Sequence, residues 1–217
     1  TGAGGSVTSS TTVTANQWYH VVLTKSSSDG VKLYLDNVSV GSNSGYTSNN
    51  TANTTSGGLN TIGWYNTGSS TTASFDGLMD QFRIFSKALS TSEITTLYGE
   101  TYSSTSKSVT DIFGDRSAIA LYQFENSAKD TGGASGYYGE GAIFNGSSSH
   151  IDIPSPIPYT NTDFSFTAWL YLNSSFSSGF KTIIGAGDKT TGEGIFRILI
   201  RYSSSNNYTI EPLRAFS

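Results

Sequence analysis

Phe75-Asp-Gly-Leu-Met-Asp-Gln-Phe-Arg-Ile-Phe-Ser-Lys-Ala-Leu-Ser-Thr-Ser-Glu-Ile-Thr-Thr-Leu-Tyr98 decides how the remainder of the chain is read. In its first part Asp80, Phe82 and Ile84 alternate with Gln81, Arg83 and Phe85, which predicts a half-buried strand with each trio on its own face. The period then changes. Ser90-Thr-Ser-Glu93 has the form of a capping box, and Leu89, Ile94, Leu97 and Tyr98 supply an apolar stripe for one short helix that stops at Gly99.

Outward from that stretch the pattern is all strand and turn. Val13 to Lys25 reads as the first strand, in which Trp18, His20 and Val22 alternate with Tyr19, Val21 and Leu23, with apolar groups on both faces, as in a central strand covered by two layers. Ser26-Ser-Ser-Asp-Gly30 is turn chemistry, and Val31, Leu33 and Leu35 continue as a hairpin partner. Gly41 to Gly58 holds little that is apolar besides Tyr46 and Ala52, so it reads as a long exposed loop or a weakly paired edge. Ala120, Tyr122 and Phe124 share a face of a further strand, and Phe164–Leu172, Lys181–Ala186 and 195–202 are three more. Between these, Ile151-Asp-Ile-Pro-Ser-Pro-Ile-Pro158 is expected to leave the sheet at its prolines, which lack the ladder donor. The fold class is therefore all-β: an antiparallel β-sandwich with one short helix. Leu33, Ile84, Phe124, Phe166, Trp18 and Trp169 mark strands expected to contribute to its core.

Phe-x-Gly-x-x-Asp-x-x-Arg-Ile-Phe followed by Ala-Leu-Ser-x-x-Glu-Ile-x-x-Leu-Tyr resembles the closing strand and helix of a laminin-G-like domain of the concanavalin A-like lectin/glucanase superfamily, whose sandwich is a jelly roll. Trp18–Thr24 with Val31–Asn37 resembles that family's central hairpin, and Leu59–Gly63 its next strand. Ala120–Glu125, Asp130, Ala142–Ser147 and Phe164–Trp169 resemble the family's beginning, so the order is inverted. Residues 1–100 read as a closing half, 101–115 as a linker and 116–217 as an opening half. Three arrangements produce such an order: a circular permutant folding as one domain, a window across two tandem domains, or a repeat unit whose halves complete those of its neighbours. A half sandwich exposes its whole inner face, so each requires a complementary half. The expectation is a window from a repetitive or tandem array, with complementation by a neighbouring repeat.

Composition limits the function. In 217 residues only 13% are charged and the net charge is −4, so no basic field exists for nucleic acid. The absence of Cys removes disulfides, thiol catalysis and thiolate metal sites. No run approaches the ~20 apolar residues of a membrane helix. Thr1-Gly-Ala-Gly-Gly-Ser lacks the basic start and apolar middle of a signal peptide and does not begin with Met, so a processed product or a segment of a longer chain is expected. Nor is catalysis expected. The superfamily's glycoside hydrolases carry paired acids along one strand, whereas Glu93, Glu100, Glu125, Glu140, Glu193 and Glu211 stand singly here. His20 and His150 are the only histidines, and His20 is read as a hydrogen-bonded member of a buried strand.

The resemblance implies two kinds of site. Asp80, Glu125 and Asp130 match acids with which the family holds Ca²⁺, as hard oxygen ligands suit that ion. Glu125 stands where Asp is commoner, which lengthens its reach. The alternative for Asp80 is a buried carboxylate accepting backbone N–H bonds, and for Glu125 and Asp130 a turn partner and a solvated acid. Carbohydrate or glycoconjugate recognition is the expected function, and Trp64, Tyr65, Tyr137 and Tyr138, in Gly/Asn/Ser surroundings, are aromatics that could stack on sugar faces or instead anchor their loops. Partners would be a cell-surface glycan or other virion or fibre subunits, in an extracellular or virion-surface location. The Ser/Thr/Asn/Gly-rich, Cys-free composition resembles lectin-like modules of phage tail fibres and capsid decorations. The competing expectation is a structural spacer or decoration module with no small ligand.

Overall fold

A computed structural model describes residues 7–45, 59–64, 74–100, 110–124, 135–136, 139–157, 163–173, 176, 178–186, 196–204 and 207–214. Two antiparallel sheets pack face to face. One holds β1 (Val13–Thr14), β5 (Leu59–Ile62), β11 (Ile151–Ile157), β13 (Phe180–Ala186), β14 (Phe196–Ser204) and β15 (Asn207–Arg214), in the spatial order β1-β15-β14-β13-β5-β11. The other holds β2 (Trp18–Ser26), β3 (Gly30–Leu35), β4 (Val38–Asn43), β6 (Asp76–Phe85), β10 (Ala142–Asn145) and β12 (Phe164–Leu172), in the order β10-β6-β12-β2-β3-β4; β7 (Ala118–Tyr122) shares the β6 edge with β10. A small hairpin, β8 (Ser135–Gly136) and β9 (Gly139–Glu140), and one helix, α1 (Thr91–Tyr98), complete the described elements.

Strands from the two ends of the chain interleave. β12 lies between β6 and β2, β5 lies between β13 and β11, and β1 pairs with β15. The strand expected from Val13 to Lys25 is broken by a turn in which Asn16 takes φ +68°, so that its start, β1, and its remainder, β2, belong to different sheets. Along β12, Phe166 sits between Ile84 and Leu23, and Leu170 between Met79 and Tyr19. These residues meet Ile183, Ile198, Ile200, Tyr208 and Ile210 of the other sheet in one buried apolar cluster that also holds Leu33 and Phe124. The glycine of the Phe-x-Gly motif has a steric reason: a Cβ on Gly77 would come within 1.9 Å of the Tyr171 carbonyl oxygen on the neighbouring strand.

The β6 strand departs from simple alternation. Thr167 is opposite Arg83 and Trp169 is opposite Asp80, so two steps on β12 match three on β6. The extra residue is accommodated at a bulge where Gln81 takes φ +48°. The expectation that Asp80 shares a face with Phe82 and Ile84 is thereby corrected. Met79, Phe82 and Ile84 face the other sheet, while Asp80 lies on the outer side with Arg83, Thr167, Trp169 and His20. Trp169 and Trp18, on that register, likewise lie on the outer side rather than between the sheets.

Part of this outer side is covered by α1. Ser90 Oγ accepts from the Glu93 amide and Glu93 Oε2 accepts from the Ser90 amide, so the expected capping box is present. Leu89, Ile94 and Leu97 then bury against Val22, Tyr34 and Phe85, joined by Ile112 and Phe113 from the chain after α1. The proline-bearing stretch is part of β11, an edge strand paired to β5 at Ile151, Asp152 and Ile157. Pro154 and Pro156 fall in the register break between Asp152 and Ile157, so the chain departs from the ladder at these prolines, which lack the donor, and rejoins it after them.

Trp169 is only 4% exposed and lies against His20 at 5.0 Å and Tyr98 at 5.7 Å between ring centroids. Trp169→Ala is expected to cost ~3–5 kcal/mol. A urea titration would show it as a lower midpoint at unchanged slope; an unchanged midpoint would contradict this burial.

Candidate functional site

Trp64 stands just beyond β5. Gly63 turns the backbone at φ +79°, a conformation that favours glycine, and the Trp64 carbonyl accepts from Thr61 Oγ1 at 2.9 Å. The half-buried indole stacks on the His150 ring at 4.6 Å and 30°. His150 is exposed and is set by its own loop: Asn145 Oδ1 accepts from the amides of Ser147, Ser148 and Ser149. The ring Nδ1–H donates to the Ser148 carbonyl at 2.9 Å, which directs Nε2 toward Asp152 Oδ2 at 3.7 Å. Asp152, 62% exposed, lies opposite Thr61 on the edge strand. The result is a surface aromatic pair with a solvated carboxylate beside it.

Of the residues expected to bind sugar, Trp64 alone lies within the described part of the chain; Tyr65, Tyr137 and Tyr138 lie outside it. Of the expected metal ligands, Asp80 is described, while Glu125 and Asp130 lie outside. Trp64 follows a strand of the six-stranded sheet and Asp80 belongs to the seven-stranded one, so these two expected sites are separate.

Residues 1–95 match a laminin-G-type family model described as the concanavalin A-like lectin/glucanases superfamily. The chain carries a laminin-G-like segment. It runs from the N-terminal region through the β2–β3 hairpin and β6 into the first turn of α1. No curated protein and no solved structure matches the chain. The superfamily that this family model names takes in both lectins and glucanases. Among the described residues no helix is long and apolar enough to cross a membrane.

Within the laminin-G-like segment, Asp80 is fully buried and its Oδ1 accepts from the Gln81 amide at 2.7 Å, holding the bulge. Arg83 Nη2 pairs with Glu100 Oε1 at 3.1 Å, and the two side chains are 1% and 4% exposed. His20 is buried beside them, its Nε2 3.3 Å from Thr167 Oγ1. Burial, and secondarily the Arg83 cation, holds its pKa down at about 3, so the ring is neutral at ordinary pH. This agrees with the structural reading of His20 and removes it from the pool of catalytic bases at neutral pH. Sequence reasoning missed the Arg83–Glu100 pair; an Arg within an apolar strand and a Glu directly after the helix stop were its signals.

The β6 edge bears on the acids. β7 covers Phe82–Phe85 and β10 covers Asp76–Met79, so neither ladder includes Asp80 or Gln81. Glu125 and Asp130 come in sequence between these two strands, directly after Phe124. Among the described residues no three or more His, Asp or Glu side chains form a cluster able to hold a metal.

Proposed function

We propose that the chain is a non-catalytic adhesion module that binds a carbohydrate or glycoconjugate, with Trp64 at the contact surface. The observation that carries this reading is the Trp64–His150 pair with Asp152 beside it. An aromatic ring offers a flat apolar surface to the C–H face of a sugar, and a solvated carboxylate accepts from its hydroxyls. The absence of catalysis is supported by the engagement of three groups on or beside the seven-stranded sheet: Glu100 is paired with Arg83, Asp80 holds a backbone bulge, and His20 is neutral and buried. The Ser/Thr/Asn/Gly-rich composition supports placement on a virion or cell-surface fibre, with a surface glycan or fibre subunits as partners. On a glycan array the wild-type chain should bind at least one glycan class, and Trp64→Ala should weaken it about tenfold, the loss of one ring contact. Binding unaffected by Trp64→Ala would remove this surface, and binding to no glycan would leave the spacer reading.

We further propose a Ca²⁺ site built from Asp80, Glu125 and Asp130. It is supported by the break between the ladders at Asp80 and by the hard oxygen chemistry of the three acids. Asp80 supplies one carboxylate to an ion that takes six to eight oxygens, so Glu125, Asp130 and backbone carbonyls would complete the shell. The bound ion would neutralise the like charges of these acids. A chelator is then expected to lower the melting temperature of the wild type. Asp80→Asn should melt lower in calcium and not respond to the chelator. If calcium shifts neither melting curve, Asp80 acts as a hydrogen-bond acceptor alone.

A further inference from the structure

A groove of about 320 Å³ opens on the outer side of the seven-stranded sheet, between the β2–β3 hairpin and the start of α1. Its floor comes from the sheet register: Thr24 lies opposite Lys32, and Tyr34 follows on the same face. Asp29, Asp163 and 88–91 also line it. The volume lies at the lower end of the ~300–1,000 Å³ of small-molecule sites.

The lining narrows the chemistry of an occupant. Thr24 and Tyr34 are 3% and 8% exposed, and neither hydroxyl hydrogen-bonds to another described group of the protein. Both hydroxyls therefore open onto the groove, where water or a polar ligand can take their hydrogen bonds. An anion finds no unopposed charge, because Lys32 Nζ is 3.3 Å from Asp29 Oδ2 and Asp163 adds a second carboxylate. Asp163 is held in place by the Ser27 amide, which donates to its Oδ1 at 2.7 Å. The helix start offers little to an anion either, since the amides of Ser90 and Glu93 are engaged in the capping box. Apolar surface is limited to the Tyr34 ring, Ala88 and Leu89. Hydroxyls and carboxylates beside a small apolar surface match the hydroxyls and C–H face of a sugar ring.

We propose that this groove is a second saccharide subsite, taking one neutral monosaccharide unit, on the sheet opposite the one that carries Trp64. The assignment rests on the carbohydrate-binding reading and extends it to a second place. Two subsites on different sheets let one module bridge two glycan branches, so avidity can exceed the affinity of either.

The test titrates the isotopically labelled chain with free glucose, galactose, mannose and N-acetylglucosamine, following backbone amide signals by NMR. At least one sugar should produce saturable shifts at Ser26–Lys32 and at 88–91. Tyr34→Phe keeps the ring that packs on α1 and removes only the hydroxyl, so it should weaken that titration about tenfold. Shifts confined to the neighbourhood of Trp64 and His150, or an unchanged affinity in Tyr34→Phe, would overturn the subsite while sparing the Trp64 surface. Tighter groove binding of glucuronate than of any neutral sugar would overturn the neutral assignment. No shift with any sugar, together with a blank glycan array, would overturn both readings.

Discussion

Replacing Arg83 by Ala is expected to lower the unfolding free energy by about 3–5 kcal/mol, because it strands the Glu100 carboxylate in a site sealed from water. The ion pair links the middle of β6 to the residue that follows the helix stop, at a point where both groups have lost their hydration. The desolvation of two charges offsets much of their attraction, so the pair itself is not a large source of stability; breaking it is what costs. Arg83 also donates to Gln81 Oε1 at 3.4 Å, so its removal disturbs the bulge as well. The double variant Arg83→Met, Glu100→Leu removes both charges and fills the space, and should recover most of the loss. Urea unfolding of the wild type, the single variant and the double variant decides the matter. A double variant as unstable as Arg83→Ala would mean that Arg83 acts through its other contacts and not through Glu100.

What the sequence made legible was whatever is specified locally. The alternation of β2 and β3, the turn at 26–30 and the capping box of α1 each depend on residues within one turn or one strand of each other, and each is where it was expected. The faces of β6 were not legible, because the φ of +48° at Gln81 is forced by pairing with β12, more than 80 residues away, and Gln carries no local signature for it. The same holds for Glu100, whose partner is chosen by where α1 ends in space. β15 was overlooked although Tyr208 and Ile210 point into the core and Thr209 and Glu211 away from it; Glu211 and Pro212 interrupt an otherwise readable strand. The prolines of β11 were legible as the place where the ladder to β5 breaks, whereas the edge position of that strand is a property of the whole sheet. At the candidate sites, Trp64 was legible as an aromatic beside a turn. Its companion His150, and the union of Thr24, Tyr34 and Asp163 in one groove, arise only from strand order.

Acid should destabilise the fold through His20 before the bulk of the carboxylates titrate. The folded pKa of about 3, set by burial first and by Arg83 second, lies well below the ordinary value of 6.5 that the unfolded chain regains. The unfolded state therefore binds a proton that the native state refuses throughout the interval between those values. Stability from this residue is complete above pH 6.5, falls as the pH drops toward 3, and falls no further below that. The slope approaches ~1.4 kcal/mol per pH unit, so about 3 kcal/mol is lost between pH 7 and pH 4. His20→Gln removes the titrating ring while keeping a group able to reach Thr167. Its unfolding free energy should start lower at pH 7 and decline less steeply, so that the wild-type advantage shrinks by about 3 kcal/mol at pH 4. Parallel pH profiles for the two proteins would mean that His20 accepts its proton without unfolding, by moving its ring away from Trp169 and Tyr98. Because the Arg83 cation contributes to keeping that ring neutral, Arg83→Met, Glu100→Leu should raise the folded pKa and narrow the pH interval over which the wild type loses stability.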